Sequence, residues 1–181
     1  MPSGPKDAKG LLLSCIRSDD PVIFLEPKVL YRSAVESVPI GDYEIPLGKA
    51  RLVEPGKDVT LIGYGSQVRV LQKAASRAMK DHNISCEIID LRTILPWDVE
   101  TVTQSVLKTG KCIVSHEAPV TCGFGAELVA TIQRECFWSL ESPVERVCGM
   151  DTPFPLVLEK HYLPNEIKVY DAILRVVENS R

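Results

Sequence analysis

The residues best placed to do chemistry in this chain are Ser115-His116-Glu117-Ala118-Pro119, with Gly123-Phe124-Gly125-Ala126-Glu127 just beyond. A histidine beside a glutamate has the makings of a general acid–base pair. The apolar run Cys112-Ile113-Val114 delivers both to a turn, and a glycine-flanked helix start comes next. Strand ends beside helix N-termini are where open α/β sheets place functional groups. A histidine at a strand end serves equally as a hydrogen-bonded structural residue or a subunit contact, so the segment alone names no reaction. No nucleophile elbow accompanies it, because Tyr64-Gly65-Ser66-Gln67 lacks the second flanking glycine.

Three other segments carry functional residue types. Gly63-Tyr64-Gly65-Ser66-Gln67-Val68 succeeds a strand pattern and opens a helix, and Asp90 closes the next strand. That imitates a dinucleotide fingerprint, but Val68 replaces the third glycine, which close helix–strand packing needs. The alternatives are a free-standing nucleotide-binding α/β protein or simply a tight turn built from small residues. Asp90-Leu91-Arg92-Thr93-Ile94-Leu95-Pro96-Trp97-Asp98 offers an Asp90–Arg92 ion pair, an anion site, or a structural turn with Trp97 buried. Cys15-Ile16-Arg17-Ser18-Asp19-Asp20-Pro21 ends a helix, where free carbonyls and two carboxylates either attract a cation or simply face water.

The elements that must hold these groups alternate. Strands are expected over 59–64, 84–90, 112–114 and 144–149, and helices over 66–80, from Asp98 to Gly110, over 125–137 and over 165–179. Strand–helix alternation predicts an α/β fold, a three-layer, mostly parallel sheet covered on both faces. Upstream, a short helix through Ala8, Leu11, Leu12 and Cys15 leads to a strand-like run, Val22-Ile23-Phe24-Leu25-Glu26. With no partner before it, this pair reads as the tail of a truncated α/β domain. Prolines 27, 39, 46 and 55 punctuate the stretch between that run and the first regular strand. The expected organisation is therefore a tail over 1–26, an interdomain linker over 27–57, and a layered domain over 58–181.

Composition narrows the function classes. A formal charge of -3, with 21 scattered basic residues, gives no basic face for nucleic acid. The apolar runs fall far short of the roughly 20 residues that cross a bilayer, so no membrane span is expected. Residues 1–6 show no signal-peptide pattern. Six cysteines without a CxxC pair or zinc-ligand spacing read as reduced thiols packed as small hydrophobes.

Taken together, Ala8-Lys9-Gly10-Leu11-Leu12-Leu13-Ser14-Cys15-Ile16, Phe24-Leu25-Glu26-Pro27-Lys28-Val29-Leu30-Tyr31-Arg32, the Asp90–Asp98 segment, Ser115–Pro119 and Arg146-Val147-Cys148-Gly149-Met150-Asp151-Thr152-Pro153-Phe154-Pro155 closely resemble the β subunit of the thiamine-diphosphate-dependent 2-oxoacid dehydrogenases. The branched-chain member fits best, with a pyruvate dehydrogenase-type subunit as the alternative. The resemblance covers nearly the whole chain. It implies a transketolase C-terminal-like domain over 58–181, preceded by the end of the pyrimidine-binding domain.

The resemblance further implies an enzyme that oxidatively decarboxylates branched 2-oxoacids and passes the acyl group to lipoamide. Its implied partners are an α subunit, a second β subunit and the lipoyl acyltransferase core, and its implied location is the mitochondrial matrix. Thiamine diphosphate belongs to the complete α₂β₂ enzyme. The family's cofactor-contacting glutamate and active-site histidine match no residue here, so no catalytic or cofactor-binding residue is carried over. A potassium site is carried over in part: the family's Cys-x-x-Asp-x-Asn segment corresponds to Cys15, Ser18 and Asp20.

Overall fold

The computed structural model describes residues 1–179; the last two residues of the expected 58–181 domain lie outside the described residues. Five strands form one sheet: β1 (Arg51–Glu54), β2 (Val59–Gly63), β3 (Cys86–Asp90), β4 (Cys112–Pro119) and β5 (Glu145–Gly149), in the order β1-β3-β2-β4-β5. The pairs β2–β3, β2–β4 and β4–β5 are parallel, and β1 runs antiparallel to β3. The helices are α1 (Pro5–Arg17), α2 (Leu30–Ser33), α3 (Gln67–His82), α4 (Val99–Thr109), α5 (Gly125–Cys136), α6 (Glu159–Tyr162) and α7 (Glu166–Glu178).

The layers arise from strand alternation. Every residue of β2 and β3 is buried, as expected for parallel strands covered on both faces. Successive side chains point to opposite faces. Leu61, Ile88 and Ile113 pack with Leu71, Ala75 and Ala78 of α3 and Val169, Ile173 and Val176 of α7. Their neighbours Ile62, Ile89 and Val114 pack on the other face, with Val102 and Val106 of α4 and Leu128 and Ile132 of α5. The three-layer α/β architecture expected from the sequence is therefore present. Asp98 and Asn165 cap α4 and α7 by accepting the Thr101 and Lys168 backbone N–H. Left-handed Asn83 and Gly110 close α3 and α4.

Two expectations upstream of the sheet need correction. Residues 22–26 form no strand, and Ile23 is 87% exposed. A strand must share its backbone groups with a neighbour, and among the described residues every strand belongs to the one sheet built from residues 51–149. The second concerns secondary structure within 27–57, for which no helix or strand was expected in the interdomain linker. That stretch contains α2 and β1, and β1 pairs Arg51 with Asp90 and Leu52 with Ile89. Four residues at a sheet edge are too short to show periodicity, so β1 was not legible there.

Candidate functional site at the carboxyl ends of the strands

The strand order reverses at β2, since β3 lies on one side of it and β4, also parallel to it, on the other. The crevice outside their carboxyl ends is the usual binding position in such sheets. Both sequence-predicted clusters arrive there. β2 ends at Gly63, Tyr64 and Gly65 follow it, and Gly65 turns the chain at φ +60° so that α3 can begin. A side chain on Gly63 would sit 2.8 Å from Leu71 Cδ1. Ser66 Oγ, at the start of α3, donates to Glu117 Oε1. Glu117 thereby places a carboxylate where a phosphate would need to bind, and like charges repel. This disfavours the nucleotide-binding alternative.

His116 and Glu117 leave β4 on opposite sides and do not act as a pair. His116 is fully buried. Its Nδ1 lies 3.0 Å from the Ala118 carbonyl, so Nδ1 donates and the neutral ring keeps a lone pair on Nε2. Nε2 lies 3.3 Å from Cys148 Sγ and accepts the thiol hydrogen. A Cβ on Gly123 or Gly125 would come within 2.5 or 2.7 Å of the ring, so the loop and the start of α5 close tightly over it. Tyr64 stacks alongside at 6.3 Å between centroids. Burial pushes the Cys148 thiol up to about 11 and the Tyr64 phenol up to about 12. The constellation is a packed, neutral hydrogen-bond chain; no thiolate–imidazolium pair forms.

This burial makes stability pH-dependent. It holds His116 below its ordinary value of 6.5. The unfolded chain therefore binds a proton that the folded one resists. Stability from this group is complete above that ordinary value and declines as pH falls below it. Urea unfolding of the wild type is expected to weaken between pH 7.5 and 5.5, and His116→Gln is expected to flatten that slope. An equal slope in both proteins would contradict this role for His116.

Asp90 and Arg92 do not pair through their side chains. The Arg92 backbone N–H reaches Asp90 Oδ1 at 3.1 Å, while its guanidinium reaches Asp7 Oδ1 of α1 at 2.8 Å. Arg51 takes the place expected of Arg92. It contacts Asp90 Oδ2 at 3.3 Å and Asp7 Oδ2 at 3.0 Å, and Ser3 Oγ donates to Asp90 at 2.6 Å. Asp7 and Asp90 are buried. Burial, offset in part by Ser3 and Arg51, raises the Asp90 carboxyl above its usual range. Two carboxylates and two guanidiniums thus clamp α1 to the sheet edge. Trp97 is only half-buried, against the α4–α5 core cluster.

The three residues carried over for potassium, Cys15, Ser18 and Asp20, lie at and just beyond the end of α1. α1 ends at Arg17, Ser18 turns to an extended conformation, and Ser18 Oγ accepts the Asp20 N–H at 3.2 Å. Asp20 is exposed, and Cys15 is partly buried with its thiol pushed up by burial. Among the described residues no group of three or more histidine, cysteine, aspartate and glutamate side chains is arranged to hold a metal ion. All six cysteines are free thiols, as expected.

What sequence reasoning missed is the apolar surface. After β5 the chain displays Phe154, Leu156, Val157 and Leu158, with Leu156 78% and Val157 89% exposed. Beyond α5, Trp138 is 94% exposed and meets Phe137 edge-on at 4.9 Å. Scattered apolar side chains are ordinary on a surface; successive ones mark a covered face. No helix among the described residues is long and apolar enough to cross a membrane.

The layered sheet, its switch point and its sealed crevice define a class. The family model "Transketolase, C-terminal domain" matches residues 48–169, and the chain belongs to that family. More particularly, it is 62% identical over 177 residues to the mitochondrial 2-oxoisovalerate dehydrogenase subunit β of Dictyostelium discoideum, a match covering 98% of this chain and 48% of that protein. It is 55% identical over 177 residues to subunit β 2, mitochondrial, of the same enzyme in Arabidopsis thaliana, covering 98% and 49%. The chain thus spans about half the length of these curated relatives. Among solved structures it is similar to a split-gene transketolase in an inactive β4 tetramer, with a TM-score of 0.66 and 25% identity over 83% of this chain and 48% of that one. The resemblance read from the sequence holds.

Proposed function

We propose that this chain is the C-terminal part of the β subunit of a thiamine-diphosphate-dependent branched-chain 2-oxoacid dehydrogenase. The whole enzyme oxidatively decarboxylates branched 2-oxoacids and transfers the acyl group to lipoamide. Within it this part serves assembly, meeting an α subunit, a second β subunit and the lipoyl acyltransferase core. The observation that carries this reading is the run of uncovered apolar side chains from Phe154 to Leu158, beside a strand-end crevice filled by the chain's own His116, Glu117 and Ser66. The proposed location is the mitochondrial matrix, and the names of the two relatives, both mitochondrial, support the organelle.

Thiamine diphosphate supplies the electron sink for decarboxylation in the whole enzyme, and no residue of this chain is assigned to it. Cys15, Ser18 and Asp20 contribute to a potassium site only if most of the ion's oxygens come from the remainder of the whole protein. Calorimetric titration of this chain with thiamine diphosphate is expected to give no saturable heat at micromolar concentrations. Micromolar binding would overturn the division of labour proposed here.

A further inference from the structure

The segment Pro39–Ile45 lies along one side of α1 and is tied to it at every turn. Tyr43 Oη donates to the Lys6 carbonyl at 2.7 Å. The Ile45 N–H reaches the Gly10 carbonyl at 3.3 Å, and Ser14 Oγ donates to the Ile45 carbonyl at 2.7 Å. Arg17 pairs with Asp42 and Glu44 at 2.7 and 2.5 Å. Gly10 is the seat of the contact, since a Cβ there would stand 2.7 Å from both Tyr43 and Ile45. Lys6, Gly10, Ser14 and Arg17 recur at helical spacing and form one stripe.

At the free end of this strap the Lys9 ammonium is held by three successive carbonyls. Its Nζ lies 2.6 Å from the Pro39 oxygen, 3.1 Å from Ile40 and 2.9 Å from Gly41, and 5.1 Å from the centre of the Tyr43 ring. In an extended chain successive carbonyls point to opposite sides. Turning three inward creates mutual dipole repulsion that a cation with several N–H donors relieves, and the bend at residues 40 and 41 is where this happens. An ammonium uses all three of its N–H donors here.

We propose that Pro39–Gly41 is an ammonium cradle, that Lys9 is the latch holding the strap on α1, and that acylation of Lys9 Nζ releases it. Transfer from an acyl thioester would form the amide N–C bond and break the thioester C–S bond. Of the two protons the ammonium loses, one leaves with the thiol and one passes to solvent. The product has no charge and a single N–H, which leaves two of the three carbonyls without a donor. The strap then has no reason to keep its bend, and its exposed Ile40 is free to move.

Hydrogen exchange at single-residue resolution tests the latch, with Lys9→Gln standing for the acylated side chain and Lys9→Arg keeping charge and donors. In Lys9→Gln the amides of residues 40–45, including the Ile45 N–H, are expected to exchange about tenfold faster. Those of β2 and β3 are expected to stay unchanged. Lys9→Arg is expected to retain most of the protection. Unchanged exchange in Lys9→Gln, equal loss in both variants, or loss that spreads to β2 and β3 would each overturn the proposal.

Discussion

Asp90→Ala is expected to lower the unfolding free energy by about 3 kcal/mol, the low end of the range for breaking a buried ion pair. Asp90 is fully buried and accepts from Ser3, Arg51 and the Arg92 backbone, so the variant strands three donors at once. Arg51 is a third exposed and keeps Asp7, so part of its charge is rehydrated and the loss stops short of the maximum. For a chain of this size, that corresponds to a melting temperature lower by roughly 6–12 °C. Asp90→Asn keeps the shape and two acceptor lone pairs and is expected to cost less. Urea and thermal unfolding of both variants check the order. A loss under about 0.5 kcal/mol in Asp90→Ala, the size of an ordinary surface change, would mean the clamp does not hold α1 to the sheet.

The second large effect is expected where stability is least involved. Val157→Asp changes an exposed residue between Leu156 and Leu158, so unfolding should move by no more than about 0.5 kcal/mol. Association should behave oppositely. A carboxylate buried in an apolar contact is left unpaired, and an anchor residue of an interface is worth about 2 kcal/mol or more. Affinity for a partner subunit is therefore expected to fall by about 30-fold or more. Analytical ultracentrifugation of the wild type and variant separates the two effects. Undiminished association of a folded Val157→Asp protein would remove this segment from the interface.

Much of the fold was legible because its signals are local. The Val59–Gly63 and Cys86–Asp90 runs are mostly apolar, with no polar–apolar alternation, and bounded by turns, which is how a doubly covered strand looks in sequence. Asp98 announces α4 and Asn165 announces α7, each bonding an amide three residues on. The site was less legible because its geometry is long-range. Asp90 selects Arg51, across the sheet edge and 39 positions away, over its near neighbour Arg92. Nothing in the spacing of Asp90-Leu91-Arg92 encodes that choice; the antiparallel register of β1 on β3 does. His116 and Glu117 look like partners in sequence, but strand alternation parts them, one toward Cys148 and one toward Ser66. Residues 22–26 failed for the complementary reason: β-branched composition marks a tendency, and a strand still needs a neighbour.

The clamp, the sealed crevice and the uncovered apolar run support the proposal that this part of the protein meets other subunits while the chemistry is done elsewhere. Multi-angle light scattering, with the chain co-expressed beside an α-type subunit of a thiamine-diphosphate-dependent 2-oxoacid dehydrogenase, measures this most directly. Co-elution of both chains in one peak of equal stoichiometry, larger than a simple pair, is the predicted result. Elution of this chain alone as a folded monomer, with the α-type subunit in a separate peak, would contradict it.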